Sequence, residues 1–104
     1  CGAVQAALSD ENHGLIDNWL RKIQEVYRAH QAEVDAKTGT QRLDYMCELN
    51  IAAQVANVCR TTIVQNAWQR GQQLSVHGWV YGLKDGLLHN IGLSISGPEQ
   101  LPGG

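Results

Sequence analysis

Apolar and polar residues follow two rhythms along this chain, and the change falls near Gly71. Before it the spacing is three-and-four. Leu15, Ile16, Trp19, Leu20, Ile23, Val26, Tyr27 and His30 recur that way, with Asp17, Asn18, Arg21, Lys22, Gln24, Glu25 and Arg28 between them. This predicts an amphipathic helix whose apolar face extends toward Val34. Lys37-Thr38-Gly39-Thr40 ends it. A second long helix is predicted from about Gln41, with Leu43, Cys47, Ile51, Val55 and Val58 as its stripe and Met46 beside them. Near Arg60–Thr62 the pattern resets. Thr62, with Gln65 three residues later, predicts a capping box in which the two side chains satisfy orphan N–H groups. The helix it opens would carry Ile63, Val64, Ala67 and Trp68 and stop at Gly71, a residue favoured just past a helix end. Upstream, Cys1–Leu8 predicts a short helix and the polar run Ser9–Gly14 a loop.

After Gly71 the period is two. Leu74–Tyr81 places Leu74, Val76 and Val80 on one face and His77, Trp79 and Tyr81 on the other. Large groups on both faces predict a strand buried in a sheet covered by helices. Gly82-Leu83-Lys84-Asp85-Gly86 predicts a tight turn, because Asp and Gly both tolerate positive φ. Leu87–Ile95 then returns with Leu87, His89, Ile91, Leu93 and Ile95 on one face and Leu88, Asn90, Gly92 and Ser94 on the other, as a half-solvated edge strand does. A hairpin alone is marginal in water. It is therefore expected to complete a sheet whose other strands lie outside these residues. Residues 96–104 are rich in Gly and Pro and predict a loose tail. No repeat or linker divides the chain, so residues 1–104 read as one partial domain.

Composition narrows the class. With 104 residues, 43% hydrophobic and 17% charged, the sequence suits one small globular domain. A net charge of −2 gives no electrostatic case for nucleic acid or an anionic membrane as partner. No apolar run has the length of a membrane span, and the start lacks the basic and apolar regions of a signal peptide. The three cysteines are an odd number, which argues for reduced thiols and a reducing compartment, cytoplasmic or an organelle matrix. The first residue is Cys1 rather than Met, so a processed chain or a piece of a longer one is expected.

Candidates for chemistry are few. There is no phosphate-binding glycine loop and no nucleophile elbow. His13, His30, His77 and His89 form no His or Cys pair at helical spacing. His13 and His89 are expected in solvent, His30 on the apolar side of its helix, and His77 bonded to a backbone group. Cys47 and Cys59 read as core packing, and Trp19, Trp68 and Trp79 as core or interface anchors. Cys1, followed by Gly2 at the start of a helix, is the one thiol placed as a ligand or nucleophile, since a helix N-terminus favours thiolate. An ordinary small residue is the simpler reading on the residues alone.

Four stretches together resemble the C-terminal half of the β-class carbonic anhydrases. Cys1-Gly2-Ala3-Val4-Gln5-Ala6-Ala7 resembles the end of that family's His-x-x-Cys-Gly motif. His13-Gly14-Leu15-Ile16-Asp17-Asn18-Trp19-Leu20 is similar to its Gly-Leu-Ile-x-x-Trp-Leu helix. The run from Cys47 to Asn57 is similar to its Glu-x-Asn-Val-x-x-Gln-Val-x-Asn helix. Val76-His77-Gly78-Trp79-Val80-Tyr81, with Asp85-Gly86-Leu87-Leu88, is similar to its His-Gly-Trp-x-Tyr strand and turn. The resemblance implies an α/β fold with a mainly parallel sheet flanked by helices, of which this chain holds mostly helices and the last strand hairpin. It also implies reversible hydration of CO2 to bicarbonate at a zinc held by two Cys and one His, in a homo-dimer or higher oligomer. Zinc brings the pKa of water toward about 7, which makes hydroxide available at neutral pH. Cys1 matches the second cysteine ligand and Gly2 the glycine whose N–H lies near substrate oxygens. The other ligands would stand upstream of Cys1. The whole protein is thus expected to be the enzyme and these residues alone inactive, the alternative being a non-catalytic interaction module.

Overall fold

The computed structural model describes residues 1–9, 11–82 and 84–101. Asp10 of the predicted loop, Leu83 of the predicted turn and residues 102–104 of the predicted tail lie outside the described residues. The chain divides into two units, 1–50 and 51–104. In order come α1 (Gly2–Ala7), a 3-10 turn (Gly14–Ile16), α2 (Asp17–Ala29), α3 (Gln31–Asp35), α4 (Gly39–Cys59), α5 (Thr62–Gln69), β1 (Val76–Tyr81), β2 (Leu88–Ile95) and a last 3-10 turn (Pro98–Gln100).

In the first unit the core is Val4 of α1, Val34 of α3 and Met46 of α4, each at most 1% exposed. Leu8, Ile23, Val26, Tyr27, Leu43, Tyr45, Cys47 and Leu49 pack around them. The predicted helix from Leu15 toward Val34 is not continuous. Its chain leaves helical geometry at His30 (φ −126°) and restarts as α3. The His30 ring Nδ1 lies 3.1 Å from the Val26 carbonyl, and its backbone N–H bonds Tyr27, so both groups tighten the last turn instead of extending it. The break turns Val34 into the core. Outside, the Tyr27 hydroxyl donates to Asp35 (2.8 Å), Arg42 pairs with the same carboxylate (3.3 Å), and the Tyr45 hydroxyl donates to Glu33 (2.6 Å). The stripe of α2 is not buried along its length. Leu20 is, but Leu15 and Trp19 are 87% and 83% exposed.

In the second unit Val55 and Cys59 of α4 meet Ile95 of β2, with Ile51, Trp68, Val76, Leu93 and Leu101 packed on them. The capping residue of α5 is Thr61, not Thr62. Its Oγ accepts from the Val64 N–H (3.4 Å), and Gln65 reaches back to the Cys59 carbonyl (2.7 Å) rather than to the cap N–H. The Thr61 hydroxyl also donates to the Val58 carbonyl (2.7 Å), which ties the start of α5 to the end of α4. At the other end Gly71 (φ +77°) receives the chain as predicted. Its N–H bonds the Trp68 carbonyl and the Gln72 N–H bonds that of Ala67.

Strands β1 and β2 pair antiparallel, from Val76↔Ile95 to Tyr81↔Leu88. Gly78 faces Leu93 and Trp79 faces Asn90, so Ile91 and Gly92 are an extra pair on β2. Gly92 makes the bend at φ +81°, and Asn90 Oδ1 accepts its N–H at 2.8 Å. An offset of two keeps every side chain on its face. The face carrying Gly78 packs inward, with Gly78 buried and Val76 and Val80 half-buried. The expectation that β1 is buried on both sides is not met by the described residues. Trp79 is 50% and Tyr81 58% exposed, because no described helix covers that face. The described architecture is nevertheless helices followed by a terminal antiparallel hairpin, the elements expected of this chain.

Candidate functional site

Cys1 stands at the N-cap of α1 and its thiol is free and exposed. The Cys1 carbonyl accepts the Gln5 N–H, which starts the helix, while the first N–H groups have no partner within a helix at this end. The Cys1 side chain does not cap them. Around Gly2 there is open space: a methyl group added there would meet nothing within 4 Å. Its φ is not in the left-handed region, so neither backbone conformation nor packing among the described residues demands a glycine there. Open space at Gly2 thus lies beside an exposed thiol.

Donor chemistry decides how far this arrangement suits a metal. Cys1 fits as one zinc ligand, being exposed and thiol-bearing. Among the described residues no group of three His, Cys, Asp or Glu could hold a metal ion. One thiolate does not make a tetrahedral site. The described residues therefore hold no complete metal site of their own.

The other candidates disperse. His13 is exposed in the loop before α2, as expected, and its backbone N–H bonds the Asp17 carboxylate (3.2 Å). His77 is exposed and bonds the Ser94 hydroxyl (2.8 Å) across the hairpin, not a backbone group. His89 is not simply solvated: its Nε2 lies 2.8 Å from Asp85 Oδ2. Asp85 Oδ1 accepts the Leu87 N–H at 3.0 Å. That bond, with the His89 contact behind it, holds the Asp85 carboxyl below its ordinary range, against the opposing effect of partial desolvation. The i, i+4 spacing of Asp85 and His89 around a turn was the sequence signal for this pair. Cys59 is fully buried, and burial pushes its thiol upward. Trp68 donates to the Leu74 carbonyl (2.9 Å) as a core anchor, while Trp19 lies in the open.

Cys47 packs on the rim of the first core, in keeping with its place on the apolar stripe. It is half-buried, and its Sγ lies 4.0 Å from the Cys1 nitrogen. Periodicity assigns it to the core stripe and carries no information about that neighbour. Asn50, one turn further, has a buried Oδ1 with no hydrogen-bond donor among the described residues. Finally, Ala3, Leu15, Ile16, Trp19, Leu20 and Ile23 line an open apolar hollow of about 480 Å³.

Helices that end in an antiparallel hairpin, with a Cys-Gly step opening the first of them, are the elements that the resemblance in the sequence leads one to expect. A family model described as carbonic anhydrase matches residues 1–88, and the chain belongs to that family, in its β class. A carbonic anhydrase of Emericella nidulans is 40% identical over 98 residues, which cover 93% of this chain and 43% of the relative. The structure of a Coccomyxa β-carbonic anhydrase in complex with acetazolamide superposes with a TM-score of 0.88 at 40% identity, covering 95% of this chain and 46% of that one. One of two tetrameric β-carbonic anhydrases from Sordaria macrospora gives 0.83 at 29% identity, covering 92% and 49%. The chain thus spans less than half the length of these relatives.

Proposed function

We propose that these residues form the C-terminal part of a zinc-dependent carbonic anhydrase, in which Cys1 is one metal ligand and the Gly2 N–H faces the CO2 or bicarbonate oxygens. The observation that carries the reading is an exposed thiol next to a glycine with clear space around it, at the point where the family's Cys-Gly step falls. Zinc supplies Lewis acidity that brings water to neutral-range acidity. The chain's own part is to present the thiolate at a helix start and to leave the neighbouring N–H unobstructed. Its remaining ligands would come from residues that precede Cys1 in the whole protein. The exposed Leu15, Ile16 and Trp19 support a homo-dimer or higher oligomer. Three free cysteines support a reducing compartment, cytoplasmic or an organelle matrix.

Stopped-flow CO2 hydration with metal analysis tests the proposal on two samples, the whole protein and the 104-residue chain. The whole protein is expected to bind zinc and turn over, to lose both on Cys1→Ser, and to lose turnover on Gly2→Val with zinc retained. The 104-residue chain is expected to do neither. Metal-dependent turnover by the short chain, or a whole protein that holds no zinc, would overturn the proposal; the second result would leave an interaction module as the reading.

A further inference from the structure

Cys47 is 46 positions from Cys1 in sequence, and the fold brings its sulfur within 4.0 Å of the Cys1 nitrogen. The Cys1 sulfur is three bonds from that nitrogen. The Cα–Cβ bond turns among three staggered positions, so the reach of the Cys1 sulfur is a matter of its rotamer and not of the backbone. The approach is fixed by packing: Val4 of α1 and Met46 of α4 share one core, and Cys47 sits on the rim of that core. One of the two thiols is exposed, the other half-buried, and both are free. The third thiol, Cys59, is fully buried in the second unit.

We propose that Cys1 and Cys47 are a redox-modifiable pair that hydrogen peroxide closes into an intramolecular disulfide. In the first step the Cys1 sulfur attacks a peroxide oxygen. The O–O bond breaks, one water leaves, and Cys1 becomes a sulfenic acid. In the second step the Cys47 sulfur attacks the Cys1 sulfur. The S–O bond breaks, a second water leaves, and the S–S bond forms. Two thiols and one peroxide thus give one disulfide and two waters, with two electrons passing from sulfur to peroxide. One consequence rests on the assignment of Cys1 as a zinc ligand: a Cys1 held in a disulfide has no thiolate to offer the metal. The pair would then switch the enzyme off under oxidant, and reduction would restore it.

The test treats the reduced, metal-free 104-residue chain with one equivalent of hydrogen peroxide and traps free thiols with N-ethylmaleimide. Trypsin and a glutamate-specific protease follow, because cleavage after Glu48 separates Cys47 from Cys59. The expected product joins the Cys1 and Cys47 peptides, lighter by two hydrogens and parted again by dithiothreitol. Cys47→Ser is expected to abolish the joined peptide and leave Cys1 as its oxyacid, and Cys59→Ser to leave the joined peptide in place. Recovery of Cys47 as free thiol while Cys1 is oxidised would overturn the pair. So would joined peptides that form only between isotopically light and heavy chains. Zinc analysis of the reduced whole protein separates the two readings: a joined peptide from a protein that never holds zinc refutes the ligand assignment and leaves the pair standing.

Discussion

Gly78 is a position in the second unit where packing leaves little room for a side chain. A methyl group added there would lie 3.1 Å from Ile51 Cγ2, 3.3 Å from Ile91 Cδ1 and 3.4 Å from Ile91 Cγ1. All three are parts of aliphatic side chains that can shift, so Gly78→Ala belongs at the low end of overpacking, about 1–2 kcal/mol. Relief of glycine's entropy in the unfolded chain offsets roughly 0.4–1 kcal/mol of that. The net expectation is a loss of about 1 kcal/mol for the second unit. Urea unfolding followed by tryptophan fluorescence measures it, with Trp19→Phe as background so that Trp68 and Trp79 report. The steric cause has its own test. Ile51→Leu removes the offending Cγ2 branch at nearly constant volume, and Ile91→Val removes Cδ1. In the Ile51→Leu/Ile91→Val background the Gly78→Ala cost is expected to shrink by at least 0.5 kcal/mol, the coupling typical of side chains in contact. An unchanged cost in that background, or a Gly78→Ala protein as stable as its parent, would refute the reasoning.

Three further outcomes follow from the geometry. Thr61→Ala should destabilise the start of α5 by about 1 kcal/mol while Thr62→Ala changes little; urea midpoints of the two variants decide which threonine is the cap. The Asp85 carboxyl is held low by the Leu87 N–H and by His89, so its contribution to the hairpin turn is complete above the unfolded carboxyl value of about 3.9 and fades as pH falls through the lower folded value. The protection of the Gly86 and Leu87 amides, measured relative to their intrinsic exchange rates, should therefore fall on acidification below about pH 4, and Asp85→Asn should flatten that dependence. Cys59 should resist iodoacetamide in the folded chain and react only with unfolding, while Cys1 reacts at once; mass spectrometry of the alkylated peptides reads both.

Most of the fold was legible in the sequence because each element announces itself locally. The period of Leu15–Val26 gave α2, the glycine at 71 gave the end of α5, and Asp85-Gly86 gave the turn. Non-local effects were not legible. His30 breaks α2 because its ring bonds the Val26 carbonyl, a choice that periodicity cannot express. The cap shifted from Thr62 to Thr61 because Thr61 can also bond the end of α4, while the sequence pattern weighs only the next helix. Apolar positions such as Trp19 and Trp79 looked like core from their spacing, yet spacing specifies a face and not what covers it. At the candidate site, Cys1 and Gly2 stand out through a motif, whereas the nearness of Cys47 to the Cys1 nitrogen does not, because a cysteine on an apolar stripe looks the same whatever lies beside it.

The surplus Ile91–Gly92 dipeptide in β2 bears on how this hairpin can vary among descendants of one gene. Losing or gaining six nucleotides there would keep the inside and outside of the ribbon as they are, whereas a single-codon change would turn the strand over. Length variation at this point should therefore come in steps of two. A lineage that dropped the dipeptide would also remove the isoleucine that crowds Gly78, and so become free to place alanine there.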